Sequence, residues 1–171
     1  MEKNSYFKPN QGSGDDGFTD LLGGKRVPKS HIIVKLNAFL DELSANFGLL
    51  RAELLENTEK NKENSIISME IEALQRLILK ISAKNAGMDI DIRPETDIIV
   101  QKTRELNKIA VPPKEFIIPG NNRAEALAHI CRTKTRLCEI IAWEAGEKDA
   151  ACLLNRISDY LFLAGIFLRF Q

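Results

Sequence analysis

The sequence predicts an all-α protein, an up-and-down bundle of four long helices with a fifth, shorter helix added. Three observations carry that expectation. Apolar residues recur at helical spacing in five stretches, no run alternates convincingly as a strand would, and most connectors are short and rich in Gly, Pro or Asn. The division expected is a flexible glycine-rich segment over 1–29 and one helical-bundle domain over 30–171.

Residues 1–29 contain Pro9, Gly12, Gly14, Gly17, Gly23, Gly24 and Pro28, too many breakers for a helix interior, so the segment is expected to be irregular. A loop this long is either functional or a disordered tail. Gly24-Lys25 invites a Walker A reading, but Thr19 stands where that motif needs Gly and Arg26 where it needs Ser or Thr. What is left is a run of backbone N–H groups beside Lys25, Arg26 and Lys29, chemistry suited to phosphates.

Ser30 is positioned to cap a first helix over about 31–56, with Val34, Leu40, Leu43, Phe47, Leu50 and Leu54 on its core face. Asn37, Asp41, Ser44 and Gly48 line another face, where Asp41 reads equally as an ordinary exposed acid. Residues 57–65 form a charged connector. Ile67, Ile71, Leu74, Ile78 and Ile81 mark a second helix over about 66–84, and a shorter third one runs over about 95–108 with Ile98, Ile99, Lys102 and Leu106. Three prolines between Ile109 and Asn121 force an extended loop, which places Phe116 off any helix.

The least ordinary arrangement of charges lies between Ala124 and Gly146. Asn122 with Glu125 gives a capping-box-like start and Gly146 a stop. Leu127, Ile130, Cys131, Cys138, Ile141 and Ala142 form one apolar face; Arg132, Arg136 and Glu139 form a stripe opposite, extended by His129 and Trp143. By spacing alone, such a stripe is better explained by a solvated face. The last helix, about 149–169, becomes apolar nearly all round in its second half and is expected at the centre of the bundle.

Composition bounds the partners. Lys plus Arg equals Asp plus Glu at 24 each, so no global field argues for nucleic acid or a membrane surface. The longest apolar run, Tyr160 to Leu168, is nine residues, short of a span, and Met1 to Asp16 reads as neither a signal nor a transit peptide. Cys131, Cys138 and Cys152 are an odd set inside helices and read as free thiols in a reducing cytoplasm. Two histidines without metal-ligand spacing leave no structural zinc site.

Five motifs occur in order over about residues 13–163: Gly14-Asp15-Asp16-Gly17-x-Thr19, Asp41-Glu42-Leu43, Phe116-Ile117-Ile118-Pro119-Gly120, Arg132-Thr133 with Arg136-x-x-Glu139, and Asn155-Arg156-Ile157-Ser158-Asp159-Tyr160-Leu161-Phe162. Each alone is weak; together the set resembles the PduO-type ATP:cob(I)alamin adenosyltransferases, trimeric helix bundles of ferritin-like architecture. The resemblance implies transfer of the 5′-deoxyadenosyl group of ATP, with Mg²⁺, to the cobalt of a reduced corrinoid, releasing triphosphate. It implies ATP contacts at Gly14, Thr19, Lys29, Arg136, Glu139 and Asn155, with Asp15, Gly17 and Arg26 in the same loop. It also implies an Arg132–Asp41 ion pair between subunits, and a corrin whose lower axial ligand is displaced by Phe116.

The chain departs from the family pattern where charge is concerned. Gln11-Gly12-Ser13 lacks the basic residue expected before Gly14, and Leu137 and Ile140 stand where arginines are usual. Ala38-Phe39-Leu40 likewise replaces the usual residues before Asp41. Two other readings fit the same residues: a non-catalytic corrinoid- or nucleotide-binding homologue acting as escort or sensor, and a helical oligomerisation module.

Overall fold

The computed structural model describes residues 12, 14–22, 24–56, 62–110 and 114–171. Five helices dominate them: α1 (Ile32–Glu56), α2 (Lys62–Asn85), α3 (Arg93–Leu106), α4 (Arg123–Glu144) and α5 (Lys148–Leu168). α1 packs between α2 and α4, α5 lies against α4 and touches α2, and α3 is laid on the outside of α5. The first, second, fourth and fifth helices thus close a four-membered ring, and the third is the added one.

Periodicity explains the core. Leu36, Leu40, Leu43, Phe47, Leu50 and Leu54 of α1 are each 0% exposed, at the three- and four-residue spacing that one helix face demands. α2 contributes Ile67, Ile71, Leu74, Ile78 and Ile81, and α5 is buried from Leu153 to Leu168 on most sides. By length and hydropathy α5 could cross a membrane, but 67% of that stretch is buried inside the bundle, as a core helix requires.

The ends differ from the sequence expectation in instructive ways. α1 begins at Ile32, so His31 rather than Ser30 caps it: the Ile33 N–H donates to His31 Nδ1 at 3.2 Å. α2 starts at Lys62, inside the expected connector, because polar residues do not stop a helix when no Gly or Pro intervenes. α3 starts at Arg93 with Pro94 in its first turn, where the missing N–H costs nothing. α4 keeps its predicted cap, the Asn122 side chain accepting from the Glu125 N–H at 2.8 Å, and ends before Gly146 at φ +77°.

The segment expected to be irregular contains a small antiparallel hairpin, β1 (Phe18–Asp20) with β2 (Arg26–Pro28), Thr19 opposite Val27. Its strands are three residues each, too short to show alternation, and glycines surround them. Gly17 at φ +83° makes the turn into β1, and its carbonyl accepts from the Lys29 N–H at 2.8 Å. Val27 is buried and anchors the hairpin.

Candidate functional site

α4 lies between α1 and α5, so the two flanks of its charged stripe are covered while its middle is open. His129 and Glu139, expected on an exposed stripe, are buried; Ile130, expected in the core, is exposed. Burial on both flanks is what spacing on a single helix cannot reveal. Leu127, Cys131, Cys138, Ile141 and Ala142 do face inward. Burial pushes the Cys131 and Cys138 thiols up to about 12, which removes them as nucleophiles at neutral pH.

Arg136, Glu139 and Asn155 come together as expected. Arg136 Nη1 donates to Asn155 Oδ1 at 3.0 Å and lies 3.2 Å from Glu139 Oε2, while Trp143 Nε1 donates to Glu139 Oε1 at 2.9 Å. The guanidinium is held on the surface by a hydrogen bond to a neutral acceptor and by an ion pair with a buried carboxylate. One turn back along α4, Arg132 Nε donates to His129 Nδ1 at 3.3 Å.

Two clefts meet at Arg132. One, of about 510 Å³, is walled by Arg132, His129, Phe162 and the loop residues Phe116, Ile117 and Pro119. The other, of about 350 Å³, is lined by Arg132, Arg136, Ser158, Asp159 and Phe162. Arg132 and Phe162 are common to both. A recess that mixes aromatic and apolar groups with Lys114, Glu115 and His129 therefore adjoins a polar one carrying two guanidinium groups.

Phe116 is fully exposed, a large ring standing free on a loop. That loop is tied down from below. Glu125, wholly buried, accepts from the N–H groups of Gly120 at 3.0 Å and Asn121 at 2.6 Å, and from Arg169 Nη1 at 2.6 Å. Arg169 Nη1 also donates to the Ile118 carbonyl at 3.2 Å. Burial pushes the Glu125 carboxyl up, but these donors together outweigh it and hold the group below its ordinary value. The Asn122-x-x-Glu125 pattern signalled the cap; that the carboxylate would reach back to Gly120 and bind Arg169 had no sequence signal. Pro112 and Pro113, invoked to stiffen this loop, lie outside the described residues.

The hairpin gathers Gly14, Asp15, Gly17, Thr19, Arg26 and Lys29 away from α4. The Lys29 ammonium lies over Gly14, where a Cβ would meet Nζ at 3.2 Å, so Gly at that position leaves room for the lysine. Arg26 is committed elsewhere: its guanidinium pairs with Asp16 at 2.5 Å and lies 3.6 Å from Asp20. The hydrogen bond from Arg26 holds the Asp16 carboxyl below its ordinary value. Asp41 is exposed on α1. Among the described residues of one chain, no hydrogen bond or ion pair joins Asp41 to Arg132, or the hairpin to the Arg136–Glu139–Asn155 cluster.

Comparison with known proteins matches this arrangement to one family. Residues 10–168 fit the sequence model of the cobalamin adenosyltransferases. A corrinoid adenosyltransferase of Citrobacter freundii is 30% identical over 163 residues, covering 88% of each chain. A cobalamin adenosyltransferase of Cupriavidus metallidurans is 31% identical over 163 residues, 88% of this chain and 82% of the relative. In structure, a variant PduO-type ATP:corrinoid adenosyltransferase from Lactobacillus reuteri, complexed with cobalamin and ATP, superposes with a TM-score of 0.83 at 22% identity, over 95% of this chain and 91% of that one. With its motif order, its four-helix ring carrying an added fifth helix and these relatives in agreement, the chain belongs to the cobalamin adenosyltransferase family.

Proposed function

We propose that the protein transfers the 5′-deoxyadenosyl group of ATP to the cobalt of a reduced corrinoid, with triphosphate as leaving group. The observation that carries this reading is the meeting of two clefts at Arg132, one bearing the free Phe116 ring and the other bearing Arg136. In the reaction the Co(I) electron pair forms the cobalt–carbon bond at the ribose 5′ carbon while the carbon–oxygen bond to triphosphate breaks. The substrate is its own nucleophile, which agrees with Cys131 and Cys138 thiols that stay protonated.

The chain's work is then to hold, orient and neutralise. Arg136, Glu139 and Asn155 hold the nucleotide; Gly14, Asp15, Gly17, Thr19 and Lys29 form the loop that receives its phosphates, and Arg26 braces that loop through Asp16. Each charge-assisted contact contributes about 1.5–3 kcal/mol. Arg26 has two acids beside it and Lys134 is paired with Glu42, so neither freely replaces the positive charges missing at Gly12, Leu137 and Ile140. A weaker hold on ATP follows. Phe116 stands at the lower face of the corrin and excludes the axial ligand, easing reduction of Co(II) by an external donor.

Subunit association completes the site. Ile130, Leu137, Ile140 and Trp143 leave an exposed apolar stripe on α4 beside Arg132 and Arg136, a surface suited to a second copy of the chain. In a homotrimer, Asp41 of one subunit would meet Arg132 of the next and the hairpin would close over the neighbour's Arg136. Among the described residues no group of three His, Cys, Asp or Glu side chains is placed to hold a metal ion. Mg²⁺ would accompany ATP through its phosphates. Free Cys131, Cys138 and Cys152 suit a reducing cytoplasm.

The test is an anaerobic assay with chemically reduced cobalamin and ATP, followed by the corrin spectrum. Conversion to adenosylcobalamin with stoichiometric triphosphate is expected. A base-off Co(II) spectrum without turnover would make the protein a corrinoid escort, and an unchanged spectrum would overturn the assignment.

A further inference from the structure

His129 does two things that an ordinary core residue does not. Its Nδ1 accepts from Arg132 Nε at 3.3 Å, and its Nε2 is buried without a hydrogen-bond partner, 3.9 Å from Glu125 Oε1. A buried polar atom left unsatisfied is costly, and an apolar side chain would avoid that cost. Yet α5 is hollowed to receive this ring: a Cβ on Gly165 would meet His129 Nε2 at 2.9 Å and Cε1 at 3.0 Å. Gly165 lies inside a helix, where glycine is disfavoured, and needs no positive φ. Its smallness serves the imidazole.

We propose that His129 is the positioning residue for Arg132: as a neutral ring with its proton on Nε2 toward Glu125, it offers Nδ1 to the guanidinium and fixes it on the wall between the two clefts. The inference rests on the reading of Arg132 as part of the site. The tautomer follows from the partners, since an atom that accepts from Arg132 carries no proton, and the remaining one faces a carboxylate. Among the described residues, the groups around the ring come from α4, from α5 and its end, and from the loop across the cleft. α4 supplies Arg132 and Glu125, Arg169 follows α5, α5 itself adds Gly165 and the Phe162 ring at 6.2 Å, and the loop across the cleft adds Lys114 and Glu115. Burial first, and then the Arg132 charge, push His129 below its ordinary value. Protonation puts a hydrogen on Nδ1, converting the acceptor into a donor that faces a cation, and Arg132 is released. Activity therefore falls on the acid side as His129 takes up its proton.

Three variants and one titration decide this. His129→Phe keeps bulk but removes the acceptor, and is expected to lose at least about tenfold in kcat/KM at every pH, the equivalent of about 1.4 kcal/mol. His129→Asn places an amide oxygen near the Nδ1 position, and is expected to retain most activity while losing the acid-side fall. Gly165→Ala, which crowds the ring, is expected to behave like His129→Phe. The titration is read by NMR of ¹³C-labelled histidine in the full chain, where only His31 and His129 give signals. Replacing Arg132 by Ala removes a cation and a donor from Nδ1, so the His129 midpoint is expected to rise. Wild-type kcat/KM in a folded His129→Phe, or an unmoved His129 midpoint in Arg132→Ala, would overturn the proposal, and the midpoint decides if the Phe variant does not fold. Full activity in Arg132→Ala would instead remove Arg132 from the site, a failure of the underlying reading that no His129 variant is needed to see.

Discussion

Arg169→Ala is the perturbation whose size follows most directly from the structure. Arg169 is the only cation hydrogen-bonded to Glu125 among the described residues, and it also holds the Ile118 carbonyl of the Phe116 loop. Removing it leaves a wholly buried carboxylate with two backbone donors and no counter-charge. Breaking a buried pair from one side costs about 3–5 kcal/mol. The Arg169 side chain is 28% exposed, so water enters once it is gone, and the Gly120 and Asn121 amides persist. About 2–3 kcal/mol is the expected loss. At about 2–4 °C per kcal/mol for a chain of this size, the melting temperature should drop by about 4–12 °C. Circular dichroism melts at one fixed protomer concentration measure it, since subunit association shifts apparent stability. The pH dependence has a defined sign. Glu125 lies below its ordinary value when folded, so its stabilisation is present above the unfolded carboxylate value and is lost as pH falls through the folded one. With Arg169 gone that loss should begin at higher pH. A variant melting within about 1 °C of wild type at neutral pH would refute the claim that this clamp anchors the loop.

Other outcomes follow from the same geometry. Arg132→Ala and Asp41→Ala should each weaken a trimer in sedimentation and abolish turnover; a stable monomer for the unmodified protein would remove the shared site. Leu137→Arg, at an exposed position next to Arg136, should lower the KM for ATP, with the gain shrinking at high salt. Restoring the missing basic residue at Gly12 is unsuitable, because its φ of +86° disfavours a lysine.

The helices and most of their core faces were legible because apolar spacing is a local property, though Val34 proves half-buried and Ile98 exposed. Leu40, Leu43, Phe47, Leu50 and Leu54 announce their face without reference to any neighbour. What depends on neighbours was not legible. Ile130 fits the apolar side of α4 by period alone, but α1 and α5 cover the flanks that hold His129 and Glu139 instead. The third helix begins two residues before its expected start, because Pro94 fits in a first turn, where its missing N–H costs nothing. The hairpin was hidden by its length, three residues per strand among glycines. At the site, Arg136, Glu139 and Asn155 could be expected to meet because their motifs fall on adjoining helices. The link from Glu125 to Arg169 spans 44 residues and carries no spacing rule. Asp41 and Arg132, matched through a family resemblance, stay unpaired within one chain, and a second copy is where that pair would form.

The role of Phe116 tests the account most directly. Its ring is fully exposed, so Phe116→Ala removes no buried surface and should leave the melting temperature within about 1–2 °C of wild type. The decisive reading is the spectrum of Co(II) cobalamin bound with ATP present, compared between the two proteins. Wild type should show the base-off form and the variant should not, with turnover falling alongside. A Phe116→Ala protein that melts normally and still shows the full base-off spectrum would contradict the placement of the corrin against this loop.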